Sequence, residues 1–509
     1  MNLADRIKLS CEKYADQQLI YNEEIITYAQ LWDTAAKVRH ALQDLGIKPG
    51  DRIAIQLPKC MEFLYVHLAN LQLGSISIPL NPTYTQEEIA YFLADSGARI
   101  FITDSSNASF ARPQSTAFPD LQYVITLDKN QGTNQNVISF QSLLNGKSSK
   151  AVYPANPEDT ALIIYTSGTT GRSKGAMLSN ENLLTNIESL HVIWGHSDQD
   201  VLLHVLPIFH VHGLLFAFHG ALHAGMKIII RSKFDPIDTC NCIHKYRCTI
   251  FMGVPTMYHR LLQVEKPRQD LGLNLTSMRL WISGSAPLAA AIFAQFRQTF
   301  GHPVLERYGM SETGINTSNP LYGVRKPGSV GLPLPGVSMM IVDLKDDEVQ
   351  AGQIGEVWVK GKNVFQGYWQ MPEKTNESFK SSWFKTGDLG YQDEDGYLFL
   401  IGRSKDLIIS GGMNVYAKEI ETVIETLSAV EEAAVIGIPD DDLGERVIAV
   451  VVEKSGQVIN IADIAALCQA RLAGYKRPKA IHVIELLPRN SMGKVMKNKL
   501  RGLYQDSLD

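Results

Sequence analysis

The sequence predicts an α/β protein in two parts. A large N-terminal domain, residues 1–402, holds two α/β subdomains and a small β subdomain; after a short junction at 403–406 comes a small α+β C-terminal domain, residues 407–509. Three observations carry this. A chain of 509 residues exceeds what one hydrophobic core organises. Short apolar runs alternate with segments of helical period until about Gly331, where the pattern turns to short strands separated by Gly and Pro. Hydrophobic residues at 45% and charged residues at 20% are ordinary globular values and leave little room for a long disordered tract.

In chain order, YAQLWDTAAKVRHALQDLG reads as an amphipathic helix closed by Gly46, and RIAIQL and ARIFITD as strands. ISIPLNPTY followed by QEEIAYFLADSG is again strand then helix. Residues 105–155, rich in Asn, Gln, Ser and Lys, predict a surface excursion. A strand at 161–165 precedes a helix after Ser179. VLLHVLPIF, MKIIIRS, CTIFMGVP and MRLWISGSA supply the strands of a second α/β unit. GLPLPGVSMMIVD, GQIGEVWVKG, NVFQGYW and GYLFLIGRSKDLIIS make the β subdomain. EIETVIETL, AAVIGIPD, VIAVVVE and IHVIELLP make the C-terminal α+β domain.

The formal net charge of -5 gives no basic face for nucleic acid. No apolar run is long enough to cross a bilayer, and MNLADRIKLSCEKYADQQ lacks the apolar core of a signal peptide. The 6 scattered cysteines do not form a disulfide framework. A cytoplasmic protein with small-molecule partners is expected, as a monomer or homodimer.

YTSGTTGRSKG, residues 165–175, concentrates glycines, Ser/Thr hydroxyls and two cations. Such turns bind phosphates, because backbone N–H groups, hydroxyls and a lysine converge on one anion. It is not a Walker loop: Gly171 is followed by Arg172 and Ser173 before Lys174. A polar connector between strand and helix is the plainer alternative.

The whole set of motifs is more specific. TSGTTGRSKG, GSAPL (284–288), ERYGMSET (306–313), KTGDLG (385–390), GRSKDLIISGGMNVYAKEIE (402–421) and PRNSMGKVMK (488–497) occur in the order found in the adenylate-forming family, which the chain therefore resembles over nearly its whole length. The resemblance implies an AMP-forming acyl-CoA ligase using ATP, Mg²⁺ and coenzyme A. It assigns Thr166, Ser167, Gly168, Thr169, Thr170 and Lys174 to the β and γ phosphates, with Glu312 and Thr166 at the metal. Gly284, Ser285, Ala286 and Pro287 would lie along the adenine with Tyr308 stacked on it, within the ATP-binding run Arg307, Tyr308, Gly309, Met310 and Ser311. Asp388 would hold the ribose, and Arg403 would also bind the nucleotide. Lys494 would bridge carboxylate and α-phosphate, then leave as the C-terminal domain turns about Lys405 and brings Ser410, Gly411 and Gly412 to the pantetheine arm. Catalysis would rest on Lys494, Glu312, His210 and Thr166. Taken singly, Glu312 also suits the first turn of a helix capped by Ser311, Tyr308 a core aromatic, and Lys494 a solvated basic face with Lys497, Lys499 and Arg501.

In PIFHVHGLLFAFHGALH, His219 and His223 have helical spacing for zinc, but no Cys or carboxylate completes a set. Cys240, Cys242, His244 and Cys248 match no zinc signature and read as plain thiols. By the resemblance, His210 lines and gates the acyl pocket. Arg307 departs from the small or neutral residue usual in the family. An unpaired buried cation is costly beside a fatty chain and suits a substrate with a second carboxylate. In this the chain is similar to malonyl-CoA synthetases, which implies malonate or methylmalonate as substrate, with Arg260 as a second cation for the distal carboxylate. An ion pair of Arg307 with Glu306 would remove that argument. The alternatives are a medium- or long-chain fatty-acid or aryl-acid ligase, and a non-catalytic nucleotide-binding relative.

Overall fold

The computed structural model describes residues 2–128, 136–149, 151–166, 173–411, 413–440, 442–490 and 494–505. Ser167, Gly168, Thr169, Thr170 and Gly412 lie outside the described residues. The chain divides into two compact units. The larger comprises Met1–Pro327, Gly331–Ser338 and Lys360–Phe384; the smaller comprises Gly328–Val330, Met339–Val359 and Lys385–Asp509.

The larger unit contains two mainly parallel sheets, the α/β arrangement expected from the alternating pattern. One runs in the order Lys174–Ser179, Thr160–Thr166, Ile76–Pro79, Arg52–Ile55, Ile100–Thr103, Tyr123–Thr126 and Val137–Ser139, with Gly367–Tyr368 on its antiparallel edge. The other passes through Gly314–Ser318, Leu305–Met310, Leu280–Ser283, Ile250–Gly253, Val201–His204, Lys227–Ile230 and Gln18–Tyr21. The helix Tyr28–Asp44 starts on a capping box, in which Thr27 and Gln30 satisfy each other's backbone N–H. The helix Met61–Leu73 is mostly apolar with no single polar face, and all of it but Glu62 and Tyr65 is buried. Within it His67 is hydrogen-bonded through Nε2 to Nε2 of His219, 2.9 Å away, which links the two halves of this unit.

One expectation is corrected and two plainer alternatives give way. Residues 105–155 are not merely a surface excursion, because YVIT and VIS form two parallel strands that extend the first sheet, with Val124 and Ile125 fully buried. The polar residues around them hid a short run whose burial comes from its neighbours. Glu312 is not in a helix: it lies in the turn between the antiparallel strands Leu305–Met310 and Gly314–Ser318. At Gly309 a Cβ would sit 1.9 Å from the Gly314 carbonyl oxygen, so glycine permits the close pairing. The connector reading of 165–175 also fails in part, since Lys174–Ser179 is a strand antiparallel to Thr160–Thr166, pairing Thr166 with Lys174.

The strands Val337–Val342, Gly355–Gly361, Trp383–Gln392 and Leu398–Arg403, most of whose residues fall in the smaller unit, form its β portion. A short 3₁₀ turn, Ser404–Asp406, leads into a second sheet of Met413–Tyr416, Leu407–Ser410, Gly444–Glu453 and Val430–Asp440, with Ala480–Ile484 parallel to Gly444–Glu453. The helices Ala417–Ile424 and Ile461–Arg471 close its core through Ile420, Ile424, Ile464 and Cys468. All six cysteines are buried, free thiols. No helix of the described residues is long and apolar enough to cross a membrane.

The second sheet of the larger unit rests on an aromatic cluster in which Phe296 lies 5.1 Å from Trp281, 5.2 Å from Tyr258 and 4.4 Å from Phe300, measured between ring centroids. Phe296→Ala is expected to cost about 3–5 kcal/mol, the usual range for emptying a buried aromatic site, as read by urea denaturation followed through tryptophan fluorescence.

Candidate active site

Thr166 ends its strand, Lys174 begins the next, and the hairpin register sets them opposite each other. The Thr166 hydroxyl donates to Glu312 Oε1 at 3.3 Å, and the Tyr368 hydroxyl donates to the same oxygen at 3.2 Å. Glu312 is 6% exposed and has no ion-pair partner among the described residues. The Lys174 ammonium lies 4.8 Å from the centroid of the Tyr368 ring. The fold thus gathers Thr166, Lys174 and Glu312 from distant positions and adds Tyr368, which sequence reasoning missed. Its only signal is a tyrosine within NVFQGYW, where aromatics are expected in any strand.

A buried carboxylate that accepts two hydroxyl hydrogen bonds and has no ion-pair partner among the described residues is suited to a cation from outside. Among the described residues no cluster of three or more His, Cys, Asp or Glu could hold a metal. A single buried carboxylate beside a phosphate-binding turn suits Mg²⁺, which takes one or two carboxylates and completes its shell with phosphates and water.

The second focus lies beyond the carboxyl ends of parallel strands, where open α/β sheets bind ligands. Leu280–Ser283 runs into Gly284, Ser285, Ala286 and Pro287, and the neighbouring strand Leu305–Met310 carries Arg307 and Tyr308. Ser285 adopts a left-handed φ of 71°, a strained setting for a residue with a side chain. Alternation along the strand sends Glu306 and Arg307 to opposite faces. Glu306 Oε2 accepts the Leu288 backbone N–H at 3.2 Å.

Arg307 is therefore not paired with Glu306, nor with any acid among the described residues. It is 5% exposed, and its Nε and Nη2 are buried without hydrogen-bond partners. The guanidinium stacks 5.5 Å from the Phe216 ring centroid. A Cβ at residue 284 would lie 2.4 Å from its Cζ, so Gly284 supplies the space the guanidinium fills. Burial lowers its pKa to about 9, which leaves it charged at neutral pH.

Around it lie groups from the π-helix His212–His219 and the turn before it. His212 Nδ1 is 3.3 Å from Ser285 Oγ, while its Nε2 is buried without a partner. Burial, followed by the Arg307 charge, holds His212 well below the usual histidine range. His210 packs 4.5 Å from Phe209, also with a buried, unpartnered Nε2, and burial lowers its pKa to about 4. Arg260 is exposed on the helix Pro255–Gln263. His219 is held by His67, and His223 meets His191 edge to face, 4.9 Å between ring centroids.

In the smaller unit, Arg403 Nε lies 2.7 Å from Asp388 Oδ1, and the paired strands set these residues opposite each other. Of the four C-terminal cations, Lys497 pairs with Glu421 at 2.6 Å and Arg501 with Asp406 at 2.8 Å. Lys494 has no ion-pair partner among the described residues. Although exposed as a residue, its ammonium is held below the usual lysine value by desolvation first and then by the Arg403 charge, with Asp388 opposing. Lys405 is likewise lowered, by desolvation first. Ser410 is 3% exposed at the end of its strand, and the Gly411 N–H donates to the Leu443 carbonyl at 2.8 Å.

Known proteins share this framework. Residues 7–369 match the family described as AMP-binding enzyme, and residues 419–494 match the AMP-binding enzyme C-terminal domain. The crystal structure of ATP-bound MatB from Rhodopseudomonas palustris is similar to this chain with a TM-score of 0.92 and 42% identity, covering 100% of both chains. A long-chain-fatty-acid–CoA ligase of Bacillus subtilis is 32% identical over 96% of this chain and 92% of its own length. An oxalate–CoA ligase of Arabidopsis thaliana is 34% identical over 93% of this chain and 92% of its own. Matched by family profiles in both of its units, and along nearly its whole length by CoA ligases, the chain belongs to the AMP-binding enzyme family within the adenylate-forming superfamily, and is an AMP-forming acid-thiol ligase of the acyl-CoA synthetase type.

Proposed function

We propose that this ligase activates a short dicarboxylic acid, malonate or methylmalonate, and transfers it to coenzyme A. One observation carries the reading: Arg307 is a buried guanidinium whose Nε and Nη2 have no hydrogen-bond partner, with no acid against it among the described residues. Such a charge costs several kcal/mol unless a partner arrives, and a fatty chain brings none. The distal carboxylate of a diacid provides one in fork geometry. The resemblance to malonyl-CoA synthetases supports the same choice, and the exposed Arg260 is a second cation for that carboxylate.

In the first half-reaction the proximal carboxylate oxygen attacks the α-phosphorus of ATP. The bond to the bridging oxygen breaks, and pyrophosphate leaves with its electron pair. In the second, the thiol sulfur of coenzyme A attacks the acyl carbon, loses its proton and expels AMP. Lys174, Thr166 and the adjoining residues 167–170 bind the phosphates. Glu312 and Thr166 would hold Mg²⁺, whose charge neutralises the triphosphate. Tyr308 stacks on the adenine along the turn 284–287, next to Gly309, Met310 and Ser311. Asp388 and Arg403 take the ribose. Lys494 meets the charge developing between carboxylate and α-phosphate. His210 lines the acyl site, Lys405 is the hinge, and Ser410, Gly411 and Gly412 leave room for the thiol arm. Reduced, buried cysteines support a cytoplasmic setting.

Pyrophosphate release measured across malonate, methylmalonate, oxalate, acetate, octanoate, palmitate and coumarate tests the substrate. Highest kcat/KM on malonate or methylmalonate is expected, and a fatty acid in first place would overturn the reading. Arg307→Met should cut kcat/KM for malonate by about 10²–10³-fold, the penalty for breaking a buried pair. The same change should raise the melting temperature of the ligand-free protein, because it removes a desolvated charge; a lowered melting temperature would mean that Arg307 is structural. Lys494→Ala should slow adenylation by about a hundredfold or more while sparing thioester formation from supplied acyl-adenylate, and equal loss in both half-reactions would remove its assigned role.

A further inference from the structure

Arg307 is not the only buried donor at this place without a partner. The turn after Leu280–Ser283 presents two consecutive residues to it: Gly284 makes the space occupied by the guanidinium, and Ser285 meets His212. Phe216 lies against both groups, 5.5 Å from the guanidinium and 6.5 Å from the imidazole ring. His212 is 3% exposed, and its Nε2 has no hydrogen-bond partner. Ser285 Oγ makes its only hydrogen bond among the described residues to His212 Nδ1.

We propose that His212 is a specificity-determining residue, donating its Nε2–H to the distal carboxylate alongside Arg307, with Ser285 as the positioning residue that fixes the tautomer. If the Ser285 hydroxyl donates to Nδ1, the single proton of a neutral imidazole sits on Nε2, the nitrogen that lacks a partner. The imidazole is kept neutral by burial and by the adjacent guanidinium charge. Neutrality matters here: a second cation would repel Arg307 in a site already short of solvent, whereas a neutral donor adds a hydrogen bond without that repulsion. Together the Arg307 Nε–H and Nη2–H and the His212 Nε2–H offer three donors to one carboxylate, whose two oxygens have lone pairs for all of them. The left-handed φ of Ser285 is consistent with a side chain held in place for a purpose.

This inference rests on the dicarboxylate reading, and one experiment separates the two. Full-length wild type, His212→Leu, His212→Gln, Ser285→Ala and Arg307→Met are compared by pyrophosphate release on malonate and on propionate, which lacks the distal carboxylate. His212→Leu should lower the malonate-to-propionate ratio of kcat/KM by about ten- to a hundredfold, the range for losing a hydrogen bond to a charged group. The change should fall mainly on KM for malonate. His212→Gln, whose amide N–H reaches to a similar place, should recover most of the ratio, and Ser285→Ala should lower it by a smaller factor. A ratio unchanged in His212→Leu, or equal losses on both acids, overturns the role of His212. If in that case Arg307→Met still collapses the ratio, the dicarboxylate reading stands alone; a wild-type ratio near one removes both. Melting temperatures accompany each assay, and should His212→Leu fail to fold, His212→Gln and Ser285→Ala carry the same comparison.

Discussion

Keeping a guanidinium away from water with no acid beside it is among the more costly arrangements open to a folded chain, and the neighbourhood of Arg307 is built to allow it. Gly284 lacks the Cβ that would occupy its place. Phe216 gives it a ring face in place of solvent. The strand Leu305–Met310 turns Glu306 the other way, toward the Leu288 N–H. His212, next to it, is neutral and so adds no second charge. Each of these features lowers the cost or prevents its relief within the protein. The charge therefore remains available to a ligand, and the dicarboxylate reading follows from that availability.

The phosphate side of the larger unit is organised around the opposite sign. Glu312 is nearly buried, accepts hydrogen bonds from Thr166 and Tyr368, and has no ion-pair partner among the described residues. Its position in a tight turn between antiparallel strands is what brings it to Thr166, at the end of the strand pair that sets Thr166 opposite Lys174. The two sites thus share one design: each holds a charge that the described residues do not neutralise. In an enzyme whose substrates carry a triphosphate and a carboxylate, such charges are where binding energy is gained.

Much of the fold was legible in the sequence, because helix and strand periods are local. The strands at 52–55, 76–79, 100–103, 201–204, 227–230, 250–253 and 280–283 fall where apolar runs predict them. The strands at 123–126 and 137–139 were hidden by polar surroundings, and the N-terminal strand Gln18–Tyr21 gives no hint that it joins the second sheet beside Lys227–Ile230. Tyr368 was missed for a related reason: an aromatic in a short strand looks the same whether it fills a core or touches a carboxylate.

What the sequence determined by itself is the order and chemistry of the motifs, and with them the family and the reaction type. Glycines, hydroxyls, a lysine and a TGD turn carry their meaning in local composition and spacing. What only the tertiary structure decided is which charges go unpaired. In the sequence Arg307 stands beside Glu306 and invites an ion pair, Lys494 stands among cations, and Glu312 follows a helix-capping serine. Pairing depends on the direction a side chain leaves the strand and on residues distant in the chain, such as Phe216 and Gly284 for Arg307, or Glu421 and Asp406 for the neighbours of Lys494. Electrostatic cost is set by burial and by what lies within a few ångströms, and neither quantity exists until the chain has folded.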